Sequence, residues 1–112
     1  MAVTLASKAH VGEWVDNLIQ TYKVCVFSKS YCPYCQKAIA ALQSVKAQDM
    51  HVEQIENNPY MDAIQDYLGK KTGARSVPRV FIGGQFLGGG DDTVRAKANG
   101  FLIEKLQAAG AL

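Results

Sequence analysis

Residues 24–36 read Val24-Cys25-Val26-Phe27-Ser28-Lys29-Ser30-Tyr31-Cys32-Pro33-Tyr34-Cys35-Gln36: an apolar run, a short polar hinge, and two cysteines three residues apart around a proline. The run from Lys23 to Ser28 is rich in β-formers and shows no polar alternation, which predicts a short strand buried on both faces. Cys25 lies inside it and reads as a small buried hydrophobe. From Pro33 to Ala47 the pattern changes to a helical period, with Ala38, Ile39, Leu42 and Val45 on the inner side. Proline suits the first helical position, because its φ is already set and the N–H it lacks belongs to the four that would have no intrahelical partner.

Cys32 therefore falls at the cap of a helix, where unpaired N–H groups and aligned peptide dipoles favour a negative charge. A free thiol has a pKa of about 8.5, and reactive cysteines at helix N-termini fall to roughly 3.5–7.5. A helix dipole supplies about 0.3–1 kcal/mol, at most about 2, whereas each pKa unit requires about 1.4 kcal/mol. N–H to sulfur hydrogen bonds and a nearby cation must add to it, and Lys29 is the cation in reach. Cys35 returns to the same side of the helix, deeper in the fold, where the two sulfurs can meet. The pair reads as an attacking thiol, Cys32, and a resolving thiol, Cys35.

Outward from this stretch, 112 residues make one domain with a real core. The net charge of +2 arises from interspersed acids and bases with no basic stripe, which argues against nucleic acid or an anionic membrane as partner. No apolar run is long enough to span a bilayer. Met1–His10 has neither a secretory apolar region nor an arginine-rich transit pattern, so the expected location is the cytosol. Three cysteines, two of them closely spaced, do not make a secreted disulfide framework. Structural zinc needs four ligands, and His10, His51 and Cys25 lack matching spacing, so no metal is expected.

A helix is predicted over Ser7–Tyr22 from Val11, Trp14, Val15, Leu18, Ile19 and Tyr22, weakened locally by Gly12. A second strand is predicted over His51–Glu56. A further helix is predicted with Asn58 as cap, Pro59 in the first position, Ile64, Tyr67 and Leu68 inward, and a stop near Gly73. Strand, helix, strand in this order implies a right-handed parallel unit. Arg79–Gly83 and Gln85–Gly88, separated by Gly84, read as a tight hairpin that makes the sheet mixed. Asp91 and Asp92 offer caps for a final helical region, broken at Asn99-Gly100 and made apolar by Leu102, Ile103 and Leu106. The predicted fold is α/β: a four-stranded mixed sheet with helices on both faces.

A C-x-x-C after the first strand of such a unit is the redox arrangement of the thioredoxin-like fold. Cys32-Pro33-Tyr34-Cys35, Thr72-Gly73-Ala74-Arg75-Ser76-Val77-Pro78 and Gly88-Gly89-Gly90-Asp91-Asp92, together with Ile64-Gln65-Asp66-Tyr67-Leu68, resemble the dithiol glutaredoxins in content, order and spacing. The resemblance covers nearly the whole chain and implies a single, monomeric domain over residues 1–112. Two departures stand out: Ser76 where the family usually has Thr, and Gly90 where some vertebrate members carry a further cysteine.

The resemblance implies glutathione as reducing co-substrate, glutathionylated or disulfide-containing proteins as partners, and glutathione reductase as an indirect one. Glutathione carries two carboxylates and one ammonium. Lys29 and Arg75 match family positions that meet its glycyl carboxylate, Gln65 one that adds a neutral hydrogen bond, and Gly89, Gly90, Asp91 and Asp92 the cap that receives its γ-glutamyl group. Val77-Pro78 resembles the cis-proline loop facing the cysteines, with Val77 pairing like a strand to the ligand, and Tyr34 would border the groove. Two alternatives remain at this level. A thioredoxin-type protein served by a flavoprotein reductase is opposed by Lys29, Arg75 and Asp92. A glutathione-bridged dimer holding an iron–sulfur cluster is disfavoured by Pro33, since the family members that do this carry small or flexible residues there.

Overall fold

The computed structural model describes residues 7–112. The reading of Met1–His10 as free of a leader rests largely on residues 1–6, which lie outside that range. A 3₁₀ turn at Lys8–His10 leads into helix α1 (Val11–Thr21), strand β1 (Val24–Ser28), helix α2 (Pro33–Ser44) and strand β2 (Met50–Gln54). After a 3₁₀ turn at Ile55–Asn57 come helix α3 (Met61–Thr72), the hairpin β3 (Arg79–Ile82) and β4 (Gln85–Gly88), and helices α4 (Gly90–Ala98) and α5 (Phe101–Ala108). Among the described residues no helix is long and apolar enough to cross a membrane.

The strands lie in the order β2-β1-β3-β4. β1 runs parallel to β2, with Val24 opposite Met50 and Ser28 opposite Gln54, and antiparallel to β3, with Phe27 opposite Arg79. β1 is a central strand, buried at every residue, as its unbroken apolar run requires. Its alternate side chains enter two cores. Cys25 and Phe27 join Phe81 and Ile55 beneath α1 and α3, where the Phe27 and Phe81 rings meet edge to face at 5.9 Å. Val24 and Val26 join Val80 and Ile82 beneath α2, α4 and α5. The β3–β4 turn is Gly83-Gly84 with φ of 60° and 80°, the left-handed pair a two-residue hairpin needs.

This topology positions the cysteines. Because β1 and β3 are antiparallel, the exit of β1 lies beside the entry to β3, and Gly88, which pairs with Val80, brings the end of β4 to the same edge. The segments 29–32, 75–78 and 89–92 therefore converge at one end of the sheet.

Several boundaries differ from the sequence-based expectation, each for a local physical reason. α2 ends at Ser44 rather than Ala47, because Val45 leaves helical geometry and Lys46 takes a φ of 59°. β2 starts at Met50 and ends at Gln54, with Ile55 fully buried in the 3₁₀ turn instead. α3 begins at Met61, two residues later than Pro59 in the first position would require. Asn58 Oδ1 accepts the Tyr60 N–H at 2.8 Å, so this asparagine caps a turn ahead of the helix. The stop at Gly73 is as expected, with φ of 93°. Asp91 and Asp92 lie inside the first turn of α4, whose cap is Gly89.

Gly12, a weak point by propensity, marks the contact between α1 and α3: a Cβ there would stand 2.7 Å from the Tyr67 ring. The Tyr67 hydroxyl donates to Asp16 Oδ2 at 2.6 Å, while Asp16 Oδ1 faces Lys71 Nζ at 3.2 Å. Acceptance by Asp16, with burial second, pushes the Tyr67 hydroxyl up to about 12. A raised folded pKa contributes stability that is complete below the ordinary value near 10 and is lost as pH rises through about 12. Tyr67→Phe is expected to lower unfolding free energy by about 1 kcal/mol at neutral pH. The deficit should vanish above pH of about 12, as read by urea denaturation at both pH values.

Candidate active site

Cys32 is the N-cap of α2: its backbone is extended (φ −91°, ψ 116°) and Pro33 takes the first helical position. Its sulfur accepts the Cys35 backbone N–H at 3.3 Å, one of the otherwise unpartnered donors of the first turn. On its other side the thiol points to the Val77 carbonyl at 3.8 Å, and the Val77-Pro78 bond is cis. Cys32 is part-exposed, whereas Cys35 and Cys25 are buried, and all three are free thiols. Burial, and next the Cys32 sulfur beside it, push the Cys35 thiol up to about 11, against smaller opposing contributions from the Lys29 backbone and the Ser28 hydroxyl. Burial, reinforced by the Glu53 charge, pushes Cys25 up to about 12. The geometry exposes one sulfur and keeps its neighbour protonated in the fold.

The hinge between β1 and α2 is clamped by a residue that the sequence does not advertise. Glu56 Oε2 accepts both the backbone N–H and the hydroxyl of Ser30, and Gln36 Nε2 donates to the Ser30 carbonyl at 3.1 Å. The Ser30 hydroxyl holds the Glu56 carboxyl below its ordinary value, with a further small contribution from the Lys29 charge. Glu56 follows a strand and matches no motif, so only its place in space reveals it.

A groove of about 330 Å³ opens beside the cysteines. Of the residues expected to bind a ligand, Tyr34, Val77, Pro78 and the run Gly89–Asp92 line it, and Ser76 and Arg79 join them. Gly90 lets this wall form: a Cβ there would lie 2.8 Å from the Tyr34 carbonyl, so α4 starts in contact with the first turn of α2. A side chain at position 90 would require α4 or the first turn of α2 to shift. Asp92 accepts the Gly89 N–H at 2.9 Å and Arg95 Nη2 at 2.5 Å, so its carboxylate already holds the cap together.

Lys29, Gln65 and Arg75 do not line this groove. Gln65 is buried and donates to the Arg75 carbonyl at 3.0 Å, tying α3 to the loop before Val77. Arg75 pairs with Asp66 at 2.8 Å and borders a neighbouring hollow of about 420 Å³ with Gly69, Lys70 and Gly73. Arg79 was missed by the sequence reading. Its signal was a lone charge opening the apolar run Val80-Phe81-Ile82.

Two predictions follow from the geometry. Iodoacetamide at neutral pH is expected to modify Cys32 alone, with Cys35 reacting only toward pH of about 11 and Cys25 toward about 12; peptide mass mapping reads this, and early labelling of either buried thiol would contradict it. Ser30→Ala is expected to return Glu56 toward the usual carboxylate value of about 4.3, visible as an upward shift in its side-chain NMR titration.

Comparison with known proteins agrees with the geometry. Residues 24–87 match the glutaredoxin family model. Glutaredoxin-1 of Rhizophagus irregularis is 43% identical over 100 residues, covering 89% of this chain and 98% of the relative. The crystal structure of oxidized glutaredoxin 2 from Chlamydomonas reinhardtii superposes with a TM-score of 0.88 at 50% identity, covering 95% of this chain and 99% of that one. The crystal structure of a buckwheat glutaredoxin–glutathione complex superposes with a TM-score of 0.88 at 31% identity, covering 98% and 99%.

Proposed function

The chain belongs to the glutaredoxin family, the glutathione-dependent thiol–disulfide oxidoreductases, and on that premise we propose that Cys32 is its nucleophile and Cys35 its resolving thiol. The observation that carries the assignment is the 3.3 Å hydrogen bond from the Cys35 N–H to the Cys32 sulfur, at a helix cap beside the groove. A donor fixed there stabilises sulfur charge both when Cys32 attacks and when it leaves.

In the one-cysteine route the Cys32 thiolate attacks the glutathionyl sulfur of a protein–glutathione mixed disulfide. The S–S bond breaks, and the protein thiolate leaves and takes a proton. A second glutathione, as thiolate, then attacks the glutathionyl sulfur on Cys32, releasing glutathione disulfide and restoring the Cys32 thiolate. Glutathione reductase would recycle the product. In the two-cysteine route Cys32 forms a mixed disulfide with a protein or small disulfide, and Cys35 loses its proton and displaces the second thiol. The resulting Cys32–Cys35 bond is reduced by two glutathiones. Burial pushes the Cys35 thiol up to about 11, so it must give up its proton before it can displace the second thiol.

The ligand's chemistry suits the surroundings. The Val77 backbone beside Cys32 offers strand-like pairing to the ligand's cysteine. The start of α4, with Asp91 and Asp92, suits the γ-glutamyl group, and Tyr34 forms a wall. Arg75, paired with Asp66, and Lys29 lie outside the lining of the groove, and their positive charge would favour the glycyl carboxylate. Cys32→Ser is expected to abolish both reactions, whereas Cys35→Ser should keep deglutathionylation and lose protein-disulfide reduction. Glutathione-coupled turnover with a glutathionylated peptide and with a protein disulfide reads the two separately, and equal loss of deglutathionylation in both variants would overturn the assignment.

A further inference from the structure

Arg79 is 9% exposed, yet among the described residues it forms no ion pair. Its Nη1 donates to the Thr72 hydroxyl at 3.3 Å and its Nη2 to the Ser76 hydroxyl at 3.1 Å, while its guanidinium carbon stands 5.1 Å above the Phe86 ring. Nε is buried without a partner. Two neutral hydroxyls and a ring hold the group in place, but they do not cancel its charge. A buried unpaired guanidinium is costly to a fold, and an apolar side chain of similar length would be cheaper. The cost is borne where the cation lines the groove: Nη2 lies 3.6 Å from the point a Cβ on Gly89 would occupy, next to the first turn of α4. The nearest acid that it feels, Asp92, is already engaged by the Gly89 N–H and Arg95.

Resting on the reading of the groove as a glutathione site, we propose that Arg79 is its specificity-determining cation, a buried charge left without a carboxylate in the protein so that a carboxylate of the incoming thiol peptide completes it. The buried guanidinium, its Nε without a partner, and the α4 N-terminus meet at the same wall of one cavity. The carboxylate next to Cys32's ligand would gain most from them, since a desolvated charge interacts far more strongly than one in water. Arg79 Nη2 also donates to the hydroxyl of Ser76, the residue before Val77.

Arg79→Met keeps the length and the packing on Phe86 without the charge, and Arg79→Lys keeps the charge without the fork. Turnover is measured with reduced glutathione and, separately, with the uncharged thiol 2-mercaptoethanol as reductant. Thermal unfolding is followed with and without glutathione. Arg79→Met is expected to raise the glutathione KM by about tenfold or more with kcat within about twofold, and to lower kcat/KM with 2-mercaptoethanol by a much smaller factor. Its unliganded midpoint should match or exceed that of the wild type, and the upward shift caused by glutathione should shrink. Arg79→Lys should recover most of the glutathione KM. An unchanged KM in Arg79→Met, an equal loss with both thiols, or Arg79→Lys as impaired as Arg79→Met would overturn the proposal while the wild type still prefers glutathione. A wild type without that preference would remove the glutathione reading, and this inference with it.

Discussion

The reactive end of this molecule depends on one hydrogen bond, from the backbone N–H of Cys35 to the sulfur of Cys32. It exists because a chain leaving a buried strand must start a helix within four residues, and a helix start leaves N–H groups seeking acceptors. Cys32 takes the cap position that Ser, Thr, Asp or Asn would ordinarily fill. The contact that caps α2 is the one assigned to the proposed nucleophile. The strand behind it, buried on both faces, and Pro33 ahead of it leave the hinge little freedom.

Around that contact the fold works by convergence. Antiparallel pairing of β1 with β3 brings the Val77-Pro78 loop against the cysteines, and the hairpin returns Gly89–Asp92 to the same edge. Glu56 pins the hinge from the β2 side, Gln65 pins the Val77 loop to α3, and Arg79 grips Ser76 from below. Side chains expected to touch a ligand thus divide into two groups. Tyr34, Val77 and the α4 start line the groove, whereas Gln65 is spent on holding its frame. The two cysteines also divide: one is accessible, and the other is kept protonated by burial.

Element types were legible in the sequence because their patterns are local. The unbroken Val24–Phe27 run required a strand covered on both sides, and the stripe through Val11, Val15, Leu18 and Ile19 is the buried face of α1. Ends were less legible, since they turn on which of several competent caps is used. Asn58 could cap a helix at Pro59 but caps a turn with Tyr60, and Gly89 caps α4 while Asp92 reaches back to it from inside the first turn. Both outcomes depend on where the neighbouring strands leave the backbone.

What the sequence by itself determined was the chemistry: two thiols at a helix start, a proline between them, and the spaced motifs that place the chain among the glutaredoxins. Local periodicity and covalent constraints act over a few residues, so they can be read from the order of residues alone. Only the tertiary structure decided which charges are free to act. Arg75 pairs with Asp66, while Arg79, unremarkable in the sequence, is buried at the groove with no carboxylate paired to it among the described residues. Ion pairing and desolvation depend on distances of a few ångströms between segments far apart in the chain, and those distances exist only once the sheet has brought the segments to one edge.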